Sequence, residues 1–183
     1  YLAAEQCDAD ARYICLSGKG IVCNCESNYE DVKAGEYYNR LTCVGGVCDD
    51  GWAPHVVVIN IGTNDCCGNA KDEEFIPAAK DLLGKVRQRY KDAHIIWMYG
   101  FMTTRFADTI RDIIRELSET DKKLHFLYVD SMAGNDAESG AVGHPNVRGS
   151  IRAAKLLYKK IRSVTGWRNA IPADEEFVGD NNG

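Results

Sequence analysis

Four short hydrophobic runs stand out along the chain, and each has the length and composition of a β-strand. They are RYICLS at 12–17, HVVVINI at 55–61, HIIWMYGF at 94–101 and LHFLYVD at 124–130. The second run is apolar at almost every position, which is typical of a strand that is covered on both faces. Because helices cover both faces of a parallel sheet, the pattern predicts a parallel sheet between helices.

Three segments between and after these runs repeat apolar residues at helical spacing, so one face of each would be buried against the sheet. The three stripes are Phe75, Ala79, Leu82, Leu83, Val86 and Tyr90; Phe106, Ile110, Ile113, Ile114 and Leu117; and Val147, Ile151, Ala154, Tyr158 and Ile161. Strands alternating with helices of this length predict a three-layer α/β/α sandwich. We interpret the stripes as core, and they require no cofactor to explain them.

The other segments are less regular. The opening YLAAEQC has a helical pattern, and residues 21–52, rich in Gly, Asn and Cys, predict a long crossing with one or two short helices near the upper rim of the sheet. We see no internal repeat or domain boundary, so we predict a single domain over 1–183, with a loosely held tail at 168–183. The chain does not begin with Met, and we expect its natural start to lie upstream.

The charge balance argues against some partners. The chain has 22 basic and 27 acidic residues, a net charge of -5, and no long block of either sign. Nucleic acid and anionic membranes are therefore not expected as partners. No apolar run approaches the roughly 20 residues that cross a bilayer. The sequence leaves open whether the protein is secreted or cytoplasmic in a bacterium.

The eight cysteines are many for a chain of this length. Their even number permits disulfides, but the spacing is not that of a small disulfide-stapled scaffold. The CNC and CC motifs do not have the C-x-x-C spacing of a zinc knuckle, so we place free buried thiols ahead of a zinc site and expect no metal or other cofactor. A redox or metal-binding module that uses Cys66 and Cys67 remains the last of the alternatives.

Three loops of small and polar residues carry the candidate chemistry. LSGKG follows the first run, GTND follows the second, and GAVGHPN precedes the final helical stripe. Ligands bind beyond the carboxyl ends of strands in such sheets, so we expect Gly18, Asn64 and His144 to face one pocket. Each residue alone has an ordinary explanation, since GTND also fits an Asx turn and His144 also fits a helix cap.

Taken together, SGKG, INIGTND and GHPN resemble the Gly, Asn and His blocks of the SGNH, or GDSL-type, hydrolases. More narrowly, SGKGIV, VVVINIGTND, IIWMYGF and GAVGHPNVRG are similar to carbohydrate esterase family two, over about residues 1–167. That family removes acetyl groups from plant-wall polysaccharides. The resemblance implies a flavodoxin-like fold, a serine esterase and an acetylated oligo- or polysaccharide substrate. It also implies that His144 is the general base, with the Gly18 N–H and the Asn64 amide as oxyanion-hole donors.

The sequence departs from the family at two points. The nucleophilic serine of these hydrolases belongs to a Gly-Asp-Ser block at the end of the first strand, and this chain has no such block. We therefore expect the first strand and the nucleophile to lie outside the chain, with 12–17 and 55–61 either about 10 Å apart or paired directly. Where the wider superfamily has an acid three residues before the histidine, this chain has Ala141. The resemblance then favours a backbone carbonyl as the partner of His144, with Asp136 or Glu138 as substitutes.

Three aromatic residues are candidates for stacking on a sugar ring. Trp97 and Tyr99 end the third hydrophobic run beside the predicted site, and Trp52 precedes the second run. One of the first two also fits the buried core. Two functions therefore remain open: a carbohydrate acetyl esterase, and a catalytically inactive carbohydrate-binding or structural remnant of the same fold.

Overall fold

Strands and helices alternate in the computed structural model, which describes residues 1–25, 32–40 and 45–167. In chain order the elements are α1 (Leu2–Gln6), α2 (Ala34–Tyr37), β1 (Val56–Ile59), α3 (Thr63–Cys67), α4 (Asp72–Arg89), β2 (His94–Tyr99), α5 (Ala107–Leu117), β3 (Leu124–Tyr128) and α6 (Val147–Thr165). The three long helices and three of the four strands are where the sequence predicts them. The tail 168–183 lies outside the described residues.

The three strands form one parallel sheet in the order β1-β2-β3. In its register Val58 lies beside Ile96, and Trp97 lies beside Phe126. All three strands end at the same edge of the sheet, which we call the carboxyl edge. This arrangement confirms the predicted α/β class with a parallel sheet.

Successive side chains of a strand point to opposite faces of the sheet, and those of β2 are apolar on both faces. Helices therefore cover both faces. One face presents Ile95, Trp97 and Tyr99 of β2 to the main hydrophobic core, which also contains the buried faces of α4 and α5. On the other face Met98 belongs to a smaller cluster with Ala153 of α6. The sheet therefore lies between two helical layers, as predicted.

The two ends of α4 follow ordinary helix electrostatics. α4 begins with three acidic residues, Asp72, Glu73 and Glu74, and ends with Arg87 and Arg89. Both groups of charges are favourable for the helix dipole. In the described part of the chain, no helix is both long and apolar enough to cross a membrane.

The predicted strand at 12–17 is wrong. The segment is not assigned to any strand, and the backbone of residues 10–17 makes no hydrogen bond with another described residue. Tyr13 is 55% exposed and Ile14 is 43% exposed, although both are strand-forming residues. A strand needs a partner for its backbone groups, and this segment has none among the described residues. Of the two predicted arrangements, direct pairing of 12–17 with β1 is therefore wrong as well, and the separation of about 10 Å stays a prediction.

Candidate active site

The turn after β1 brings Asn64 to the carboxyl edge. Gly62 has φ +124°, and a Cβ at this position would lie 2.8 Å from Cε2 of Tyr99, so only glycine fits the turn. α3 starts at the next residue. The side-chain Nδ2 of Asn64 donates a hydrogen bond to the backbone oxygen of Lys19 at 2.9 Å. The turn thus joins Asn64 to the loop that contains Gly18.

The loop 18–25 folds back on itself next to α3. Gly18 has φ +73°, and its carbonyl oxygen accepts a hydrogen bond from the N–H of Cys25 at 2.8 Å. Within the described residues, no acceptor is bonded to the N–H of Gly18. Since an amide nitrogen has two hydrogens, Asn64 keeps a second N–H beyond the one given to Lys19. We call this loop together with α3 the donor side of the site.

His144 lies in a tight loop, residues 139–146, between β3 and α6, which we call the base side. The N–H of Gly140 donates to the carbonyl oxygen of His144 at 2.6 Å, and a short 3₁₀ turn precedes the histidine. Asn146 closes the loop, because its side chain donates to the carbonyl oxygens of Ala137 and Ser139 and caps α6 by accepting from the N–H of Gly149. The histidine itself is exposed.

Topology places both sides at the carboxyl edge, since Asn64 follows β1 and His144 follows β3. These strands flank β2, so their ends are separated by about two strand spacings, or roughly 10 Å. Among the described residues, no hydrogen bond joins the His144 ring to Asn64 or Gly18. The structure therefore joins Gly18 and Asn64 through Lys19 and leaves His144 facing solvent at the same edge.

Among the residues that the structure describes, no acid is bonded to the ring of His144. Both carboxylate oxygens of Glu138 accept hydrogen bonds from Arg152, at 2.8 and 2.9 Å, so this carboxylate already has a partner. Asp136 is exposed and makes no ion pair within the described part of the chain. The ring nitrogens of His144 likewise have neither a carboxylate nor a backbone carbonyl partner there.

The aromatic candidates for sugar stacking need correction. Trp97 is 0% exposed and its Nε1 donates to the carbonyl oxygen of Ile61, while Tyr99 is 2% exposed and burial raises its pKa to about 12. Both rings belong to the core because the odd-numbered residues of β2 face α4 and α5. Trp52 precedes the amino end of β1, and the Arg12 guanidinium lies 4.2 Å from its ring centre. None of the three presents a free ring face at the carboxyl edge.

One pair of cysteines does not have the free thiols that the sequence predicts. Cys25 and Cys67 form a disulfide with a Cα–Cα distance of 5.3 Å, although they are 42 residues apart in sequence. The prediction of free thiols is wrong for these two, because the loop 18–25 packs on α3. The free cysteines in the described residues are Cys7, Cys15, Cys23, Cys48 and Cys66. No group of three or more potential metal ligands occurs in that part of the chain.

Comparison with known proteins decides the family. The family model for the GDSL-like lipase/acylhydrolase family matches residues 34–150, more than half of the chain. The chain belongs to the GDSL-like lipase/acylhydrolase family. The matched range includes Asn64 and His144, whereas Gly18 lies before it.

Relatives that are similar to this GDSL-like chain include a cellulase/esterase and carbohydrate esterases. It is 28% identical over 176 residues to the cellulase/esterase CelE of Acetivibrio thermocellus, a match that covers 91% of this chain and 21% of CelE. A family two carbohydrate esterase from Clostridium thermocellum, solved with cellohexaose, matches 91% of this chain and 53% of its own chain, with 27% identity and a TM-score of 0.83.

An acetyl xylan esterase from Butyrivibrio proteoclasticus shares the fold, with a TM-score of 0.79 and 21% identity over 91% of this chain and 54% of that one. The GDSL-like chain thus spans about half the length of these two structures. The matches confirm the predicted SGNH fold and the resemblance to carbohydrate esterase family two.

One important residue of the donor side is not indicated by the sequence pattern. Asp65, next to Asn64, is fully buried and accepts hydrogen bonds from backbone N–H groups of the loop 18–25. The only signal in the sequence is an acidic residue that directly follows the end of an apolar run. That signal does not reveal partners more than 40 residues upstream.

Proposed function

We propose that this chain provides the oxyanion donors and the general base of a serine esterase that removes acetyl groups from plant-wall carbohydrates. The observation that carries the proposal is the hydrogen bond from Asn64 to Lys19, which joins the Gly18 loop to α3 at the carboxyl edge. His144 follows β3 at the same edge. The nucleophilic serine is proposed to come from sequence outside these residues, because the chain contains no Gly-Asp-Ser.

The proposed chemistry assigns one task to each group. A serine hydroxyl attacks the carbonyl carbon of the acetyl ester while Nε2 of His144 takes its proton. The carbonyl oxygen becomes an oxyanion, which the N–H of Gly18 and the second N–H of Asn64 stabilise. His144 then gives this proton to the sugar oxygen as the ester C–O bond breaks, and the sugar leaves as a hydroxyl. In the second half, His144 takes a proton from a water molecule that attacks the acetyl-enzyme, and returns it to the serine oxygen as acetate is released.

The substrate class is proposed from the relatives. The Clostridium thermocellum structure contains cellohexaose, and the Butyrivibrio proteoclasticus relative is an acetyl xylan esterase. Acetylated xylan oligosaccharides are therefore the proposed substrates, and acetylated mannan is added from the family resemblance alone. Trp52 is the one of the three candidates that is partly exposed, but its position before β1 argues against a direct contact with the reacting ester.

A second candidate is an inactive carbohydrate-binding or structural remnant of the same fold. The missing Gly-Asp-Ser favours it, because a domain without a nucleophile keeps only its binding surface. The two candidates differ in one measurable product, which is acetate.

The test compares the 183-residue chain with a polypeptide extended upstream until it includes Gly-Asp-Ser. We expect the short chain to release almost no acetate from acetylated xylo-oligosaccharides, and the extended one to be several orders of magnitude faster. Binding of xylo- or cello-oligosaccharides without acetate release by the extended polypeptide would favour the inactive remnant. Absence of any Gly-Asp-Ser within about 40 residues before Tyr1 would do the same, since the block lies upstream of the Gly18 loop in the hydrolases that this chain resembles.

A further inference from the structure

The carboxylate of Asp65 is an unusual group to find in the core next to the candidate site. Its side chain is 0% exposed, and it follows Asn64 directly within α3. Oδ1 accepts hydrogen bonds from the N–H groups of Ile21 at 3.0 Å, Val22 at 2.7 Å and Cys23 at 3.0 Å. Oδ2 is 3.1 Å from the same nitrogen of Ile21. A buried charge is thus satisfied by three successive backbone donors.

The loop 18–25 is built around this carboxylate. Three consecutive N–H groups that point to one place form an anion-binding concavity, and here the anion is the Asp65 side chain. At Gly20 an added Cβ would lie 2.5 Å from Oδ2 of Asp65 and 2.2 Å from the carbonyl oxygen of Cys23. A side chain at position 20 would therefore push the loop away from the carboxylate.

A second link joins the same two segments. The Cys25–Cys67 disulfide connects the end of the loop to the end of α3. The N–H of Cys25 is bonded to the carbonyl oxygen of Gly18, and the N–H of Gly68 is bonded to the carbonyl oxygen of Asn64. The disulfide thus holds the far end of the loop, while Asp65 holds its middle.

We propose that Asp65 is a positioning residue, which fixes the Gly18 N–H relative to the Asn64 amide by holding the Ile21–Cys23 backbone against α3. The proposal rests on the proposed function, because it concerns the oxyanion donors of that esterase. Such donors stabilise a transition state only when their positions are fixed before the reaction. A carboxylate that accepts three N–H groups provides this fixed geometry without touching the substrate.

The first test measures backbone amide exchange in the 183-residue chain and in Asp65→Asn. The amide keeps the shape of the side chain but removes the charge and places an NH₂ group against the Ile21 N–H. We expect exchange at Ile21, Val22 and Cys23 to become about tenfold faster, since hydrogen bonds to a charged acceptor are the stronger kind. The matched control is Asp121→Asn, which removes a carboxylate bonded to Arg87 far from this loop and should leave these amides unchanged.

Amide exchange in the wild-type chain also tests the proposal, even if Asp65→Asn does not fold. The amides of Ile21, Val22 and Cys23 should be protected from exchange, whereas those of residues 12–17 should exchange quickly because they have no described backbone partner. Fast exchange at all three amides of the wild-type chain would overturn the proposal.

The second test measures acetate release by the extended polypeptide that carries Gly-Asp-Ser. Asp65→Asn should lower kcat about tenfold or more and leave KM within about twofold, because misplaced donors weaken the transition state more than substrate binding. In an Asn64→Ala background the same substitution should have a much smaller effect. An unchanged kcat together with faster exchange at 21–23 would overturn the positioning role and leave the esterase intact. If the unmodified extended polypeptide is inactive, the proposed function fails and the positioning role fails with it.

Discussion

The donor side and the base side of the candidate site are held in place by different means. The donor side has a buried carboxylate, a disulfide and a glycine turn packed against Tyr99. The base side is an exposed loop closed by backbone hydrogen bonds and by Asn146. Oxyanion donors act through fixed geometry, whereas the hydrogen bonds of a catalytic histidine often tighten only with substrate bound. The core of the protein thus fixes the proposed oxyanion donors, whereas the proposed base, His144, stays accessible to solvent.

The largest expected effect concerns the core beneath the donor side. Trp97→Ala should lower the free energy of unfolding by about 3–5 kcal/mol, because it removes a fully buried ring and its hydrogen bond to Ile61. Trp52→Ala, the matched control, removes a partly exposed ring and should cost less than about 1.5 kcal/mol. Denaturant unfolding measures both. Equal losses for the two variants would contradict the core position of Trp97.

Two glycine substitutions compare how tightly the donor side and the base side are packed. Gly62→Ala on the donor side should cost about 2–4 kcal/mol, because the new methyl group meets the Tyr99 ring at a positive φ. Gly143 on the base side has φ +69°, and no atom of the described residues lies within 4 Å of a Cβ added there, so Gly143→Ala should cost only the backbone strain of about 1–2 kcal/mol. Thermal melting of the two variants compares them, and a larger loss for Gly143→Ala would reverse our ranking of the two sides.

A smaller effect, on the pH dependence of stability, should come from the amino ends of the strands and not from the carboxyl edge. Nδ1 of His94 lies 3.0 Å from Nε2 of His125 near the amino ends of β2 and β3. Burial, with contributions from Lys160 and His94, lowers the pKa of His125 to about 4. The folded protein therefore binds fewer protons than the unfolded chain between pH 6.5 and 4, so stability is lost as the pH falls through that range.

His125→Gln should make the loss of unfolding free energy between pH 6.5 and 4 smaller by about 1 kcal/mol. This is less than the full pKa shift would give, because the ring is partly exposed and solvent screens its charge. Melting temperatures between pH 4 and 8 measure it, with the exposed histidine His55 changed to Gln as the control. A pH profile for His125→Gln that follows the wild-type profile would show that acid acts elsewhere in the molecule.

The sequence predicted the elements that are defined by local periodicity. The helices α4, α5 and α6 and the strands β1, β2 and β3 all appear in the structure. The predicted core stripe of α6 is wrong at its first residue, because Val147 at the start of the helix is 77% exposed. The run at 12–17 also contains strand-forming residues, yet it forms no strand. A strand needs a pairing partner, and composition does not specify that partner. Composition therefore identifies a segment that is able to form a strand, and pairing decides whether it does.

The site was predictable only in part for a similar reason. Asn64 follows β1 at the carboxyl edge, as expected from its place after an apolar run. Trp97 and Tyr99 were misjudged as sugar contacts because a wholly apolar strand does not reveal which side chains face the core. Asp65 and the Cys25–Cys67 disulfide depend on contacts over about 40 residues, and no local pattern predicts them.

The most direct test of the central claim, that both sides serve one ester-cleaving site, is acetate release by variants of the extended polypeptide. Asn64→Ala on the donor side should lower turnover about 10² to 10³-fold, and His144→Ala on the base side should lower it at least as much. Trp52→Ala, which lies before β1, should stay within about twofold of the parent. Acetate release that survives His144→Ala at the parent rate would contradict the assignment, because the chemistry would then have to come from residues outside this edge.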